Sequence, residues 1–232
     1  MTTSPPTIDV AGTALPVQVR RSARACRLSL RVTAAGDAAV LVLPAGVPVR
    51  EGLRFVAERH DWLRARLASL PPRVAWADGA RVPLLGVEHR LRHHPEARRG
   101  VWAEGGEIHV SGRAEYFDRR VADWLRDQAR HVATARAHAM AAGLGRVPRR
   151  VAMRDTTSRW GSCTAAGDLA FSWRLVMAPQ AIFDYVVAHE VAHLVEMNHG
   201  PAFWRLVGRL VADAPAARQW LRRHGPTLHR YG

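Results

Sequence analysis

The chain has 232 residues, 48% of them hydrophobic, a formal net charge of +14 and two cysteines. This length suffices for one large or two small domains with a buried core, and the composition excludes a disordered chain. Two cysteines as far apart as Cys26 and Cys163 exclude a disulfide-built fold and a CxxC zinc knuckle.

The basic excess is carried entirely by arginine: there is no lysine, one asparagine and three isoleucines, beside abundant Ala, Gly, Pro, Val and Arg. That pattern resembles the coding bias of a GC-rich genome. The charge therefore has two readings, coding bias or an anionic partner, and nucleic acid through a basic surface is the partner the second implies. Residues 1–21 lack a signal-peptide core. The most apolar stretch, residues 38–49, is too short to cross a bilayer and contains Pro44, Gly46 and Pro48. A cytoplasmic protein with no membrane partner is expected.

In chain order, residues 26–32 alternate apolar and polar, the pattern of a half-buried strand with arginines on the wet face. Gly36-Asp37 marks a turn to a second strand over 39–43. Residues 49–70 have helical spacing, stopped by Pro71-Pro72. Short strands are expected over 81–85, 88–93, 100–103 and 107–110, with Gly86 and Gly105-Gly106 at turns. Residues 114–142 then form a long helix with Phe117, Val121, Leu125 and Val132 on one stripe. Strands are expected at 151–154 and 169–173, a helix from Pro179 to about Met197, and a last helix from near Pro201. The fold class is α+β: a β-rich part with one helix over residues 1–113, then a helical domain with a small sheet over 114–232.

The chemistry lies in His189-Glu190-Val191-Ala192-His193. On a helix, residues four apart share a face, so both imidazoles can reach one metal ion. Glu190 projects beside the pair, where it can hold and deprotonate a water molecule. Two histidines on a helix this apolar are costly to bury without a partner. A catalytic metal site needs a third protein ligand. His199, ten residues after His189, is the first candidate; Glu196, Asp213 and His224 are the alternatives. The turn that would bring His199 back is expected at Asn198, in left-handed geometry, or at Gly200.

The segments Arg159-Trp160-Gly161-Ser162-Cys163, Ser172-Trp173-Arg174-Leu175, Asp184 to Leu194, and Asn198-His199-Gly200-Pro201-Ala202-Phe203-Trp204 together resemble the YgjP-like metallopeptidase family, related to SprT-type zinc proteases. The resemblance implies a bacterial protein with a zincin-like catalytic domain, zinc on His189, His193 and His199, and Glu190 as general base. Relatives commonly carry serine where this chain has Gly200. The implied substrate is a peptide or protein. A nucleoside triphosphate pyrophosphatase is the rival, since some relatives carry that label, and a nucleic-acid-associated protein with latent protease activity is the third reading. Arg159 and Arg174 are candidates to stabilise an oxyanion or grip a phosphate; solvated or paired arginines are the alternative. Cys163 and Trp160 are expected to pack, as is Tyr185.

Overall fold

The computed structural model describes residues 5–232. Among these residues there are six α-helices and three small sheets, so the α+β class holds. By packing, the chain divides after Arg73.

In the first unit, β1 (Thr7–Val10), β2 (Thr13–Ser22), β3 (Ser29–Val32) and β4 (Ala39–Pro44) form a sheet of order β1-β2-β4-β3. β3 and β4 pair antiparallel, as the turn at Gly36-Asp37 predicts, while β2 runs parallel to β4. Val17, Leu41 and Leu43 meet Val56 and Leu63 of the helices in this core. Two expectations need correction. The strand expected from residue 26 begins only at Ser29, and β1 and β2 add a second pair of strands. The single helix expected over 49–70 is two, α1 (Val49–Ala57) and α2 (His60–Ala68), broken where Arg59 leaves helical geometry. The apolar positions stay in phase across the break, so nothing in the sequence marks it.

The second unit opens with β5 (Arg81–Leu84), β6 (Val87–His94), β7 (Val101–Glu104) and β8 (Glu107–Ser111), in sheet order β5-β6-β8-β7. Leu85 and Gly86, both at positive φ, make the two-residue turn between β5 and β6. Such turns match the twist of their strands. A side chain at Gly86 would strike the Pro179 Cα at 2.7 Å, and the Leu85 N–H donates to the Val176 carbonyl. The turn is thereby tied to the segment that leads into the next helix but one. Val82, Leu91, Ile108 and Val110 of this sheet share one core with α3 (Phe117–Ala142). The boundary expected near residue 113, where the sequence changes character, therefore falls inside this packing unit.

α3 buries Phe117, Val121, Leu125, Ala129, Ala133, Ala137 and Ala141, every fourth residue. Alanines on such a ridge let a neighbouring element approach closely. β9 (Arg150–Arg154), β10 (Gly161–Cys163) and β11 (Asp168–Ser172) form the third sheet, with β10 at its edge. β10 lies within the polar segment that separates the two expected strands. The remaining helices are α4 (Gln180–Ala192), α5 (Pro201–Leu210) and α6 (Ala214–Leu228). Where one last helix is expected from Pro201, there are two: the Asp213 side chain caps α6 by accepting from the Ala216 N–H at 2.9 Å. No helix of the described residues is long and apolar enough to cross a membrane.

Candidate metal centre

Pro179 is the extended N-cap residue of α4, and its carbonyl accepts from the Ile182 and Phe183 N–H groups. Ile182, Phe183, Val186, Val187 and Val191 are buried, so the helix runs through the core. His189 and Glu190 lie in its last turn, and His193 is its C-terminal cap residue. The helix ends five residues earlier than expected. After Ala192 the backbone tightens: Val195 and Glu196 N–H groups both donate to the Ala192 carbonyl.

The reversal that follows uses no left-handed residue. Gly200 is extended, and Asn198 is not among the residues with positive φ. Instead the Glu196 carboxylate accepts from the Asn198 N–H at 3.1 Å, and the Asn198 carbonyl accepts from the Gly200 N–H at 2.8 Å. A side-chain cap does the work expected of a special backbone conformation.

That turn delivers His199 to His189, with their Nε2 atoms 3.1 Å apart. One candidate ligand atom from each of His189, His193 and His199 lies within 4.8 Å of the others. His193 donates from Nδ1 to the Glu196 carbonyl at 3.0 Å. This fixes its tautomer and leaves Nε2 as the free lone pair. The His189 ring is held by packing, edge-on to Tyr185 and Phe203, with its Nδ1 buried and without a partner. Burial, helped by the neighbouring His193, His199 and Arg218, holds the His189 pKa down at about 4. Burial also lowers that of His193. Neutral imidazoles converging on one point are the donor set that a divalent cation of borderline softness takes. The residues present therefore fit such an ion.

Glu190 is only 6% exposed. Burial pushes its pKa up to about 7, against the pull of Arg159. It fits because residue 161 is glycine: a Cβ there would lie 2.6 Å from both Cγ and Oε1 of Glu190. Glu190 and His189 line a cavity of about 450 Å³ together with Arg159, Arg218 and Arg222.

The other candidates are placed elsewhere. Arg174 is 14% exposed at its side chain and pairs with Asp155 at 2.9 Å. It also donates to the Leu228 and Tyr231 carbonyls. Its fork is spent on holding the end of the chain, and it does not line the cavity. Asp213 caps α6, and His224 packs on Trp220 at 5.1 Å. Cys163 has its pKa raised to about 11, first by burial and then by Glu190, so its thiol stays protonated. Trp160 packs against His229 and also lines the cavity. Arg218 and Arg222 escape a reading that lacks α6; Asp213 followed by Pro215 is the capping signal that would have put both on one helix.

Two imidazoles from the end of one helix and a third returned by a turn form a group that could hold a metal ion, with a buried glutamate lining the same cavity as His189. Residues 26–224 match the description YgjP-like, metallopeptidase domain. The chain belongs to this YgjP-like family. No curated protein and no solved structure matches it.

Proposed function

We propose that the chain is a zinc-dependent peptidase, with His189, His193 and His199 holding the ion and Glu190 acting as general base. A divalent cation so held supplies a Lewis acid that acidifies water and polarises a carbonyl. Glu190 would receive a proton from the attacking water and pass it to the leaving amine. Burial beside the histidines places its carboxylate where it can take and return that proton. The substrate backbone would pair with the edge of β10, whose first residue, Gly161, lies against Glu190. Backbone pairing orients an extended peptide without reading its side chains.

The observation that carries this reading is the buried Glu190 facing a cavity that His189 also lines. Glu190→Gln is expected to keep the metal and to lose at least about 100-fold in turnover of a quenched fluorescent peptide, the usual scale of general-base catalysis. A variant that cleaves at the wild-type rate removes Glu190 from the chemistry.

A metal-dependent nucleoside triphosphate pyrophosphatase is the second reading, favoured by the arginines that line the cavity. Pyrophosphate release by rigorously purified protein, abolished in Glu190→Gln, would support it; no release eliminates it.

A further inference from the structure

The cavity beside Glu190 carries more positive charge than the glutamate, which feels Arg159, can balance. Arg218 and Arg222 reach it from α6, and Arg159 from the loop before β10. The two helix arginines are four residues apart and so share a face. Among the described residues none of the three has an ion-pair partner, whereas Arg81, Arg92, Arg149 and Arg174 are each matched to a carboxylate. Arg218 is stationed over the Trp204 ring at 5.0 Å, an arrangement that fixes a guanidinium without neutralising it. Glu190 is the only acid in the lining.

A second cavity, of about 340 Å³, shares Arg159 and Gly161 with the first and adds Arg150 and Arg154. Its one acid, Asp168, is bound by Arg149. Arg150 and Arg154 stand on β9, with β11 between them and β10, so Arg159 is the guanidinium that both cavities share. The wall of the first cavity also offers Trp160, Val186 and Leu221, an apolar surface for the methylenes of a side chain that ends in a charge.

We propose that the site selects acidic peptides, with a substrate carboxylate next to the scissile bond held by Arg218 and Arg222. That the ligand is a peptide rests on the peptidase reading, but the recognition can be measured without turnover. The carboxylate has two sources, an Asp or Glu side chain or the free C-terminus of a short peptide. A nucleotide phosphate is the competing anion.

The test uses the full chain carrying Glu190→Gln, loaded with zinc, and hexapeptides with an N-terminal fluorophore read by anisotropy. Three amidated peptides differ only at the central position, Glu, Ala or Lys; a fourth has central Ala and a free C-terminus. The Glu peptide or the free-acid peptide is expected to bind about tenfold tighter than the amidated Ala peptide, the scale of one charge-assisted pair. Whichever does so identifies the source. Adding Arg218→Ala and Arg222→Ala should erase that preference, and the corresponding double Lys variant should keep part of it, which guards against misfolding. Arg119→Ala, on α3, should leave it intact, which separates the pocket from the general charge. Equal binding of all four peptides, or a preference that survives removal of both arginines, overturns the proposal. So does ATP binding that depends on the two arginines while the peptides show no preference. Cleavage of the same peptides by the zinc-loaded wild type is scored separately. Selective binding without cleavage sinks the peptidase reading and leaves the carboxylate site standing; cleavage without selectivity does the reverse.

Discussion

At Gly161 the requirement is for space rather than for backbone freedom. A methyl group there would meet Glu190 Oε1 at 2.6 Å, so either the strand or the glutamate must move. Gly161→Ala is expected to cut peptide turnover by about 100-fold, since a displacement near 1 Å can cost that much. Metal content should stay at the wild-type level, because no histidine is touched. Unchanged kinetics would show that Glu190 does not act from this position. Arginine shows the opposite lesson. Arg159 and Arg174 look alike in sequence, yet Arg159 lines the cavity and Arg174 is bound to Asp155 and two carbonyls. Those partners lie 19, 54 and 57 residues away, beyond the reach of local pattern. His189, Glu190 and His193 were legible because helical spacing alone puts them together.

At the scale of the element, α6 contributes more than an arginine face. Its C-cap residue His229 is 5% exposed and packs on Trp160 at 5.2 Å. Burial first, then the Arg174 guanidinium, lowers its pKa to about 4. Because the folded value lies below the unfolded one, His229 costs nothing above the unfolded pKa of about 6.5 and destabilises the fold as pH falls from there toward 4. In metal-free protein this amounts to about 2 kcal/mol between roughly pH 7.5 and pH 5, from those two pKa values. His229→Phe should therefore lose less stability than wild type over that range, measured by urea unfolding. Parallel losses in both proteins would mean that His229 is not held neutral. The apolar positions of α6 are too sparse to mark it in the sequence, whereas Phe117, Val121 and Leu125 mark α3. In the second half of α3 alanines, which suit both core and surface, occupy the buried ridge, and Val132 packs partly buried against the same core. The turn after α4 was hidden for a related reason. Its geometry comes from the Glu196 carboxylate and the Ala192 carbonyl, not from a residue with a conformational preference.

At the scale of the whole molecule, two cores matter. The strands of residues 81–111 carry the β-rich character of the first half, yet they pack in the core that includes α3 and α4. Sequence character and packing therefore place a boundary at different positions, near residue 113 and after Arg73. A fragment of residues 74–232 is expected to unfold cooperatively and to bind one divalent ion. A fragment of residues 114–232 lacks Val82, Leu91, Ile108 and Val110 and exposes the face of α3 they cover; it should lose the sharp urea transition. If the shorter fragment folds as well as the longer, the β5–β8 sheet is dispensable and the boundary belongs near residue 113.

The three-histidine site is the claim on which the functional reading depends. Its most direct test is zinc per chain by elemental analysis, after dialysis against a weak chelator, for the wild type and His199→Ala. About one zinc in the wild type and far less in the variant is the predicted result, since catalytic zinc takes three protein ligands. A wild-type chain that stays metal-free after reloading would contradict the account, because the convergence of His189, His193 and His199 would then serve no ion.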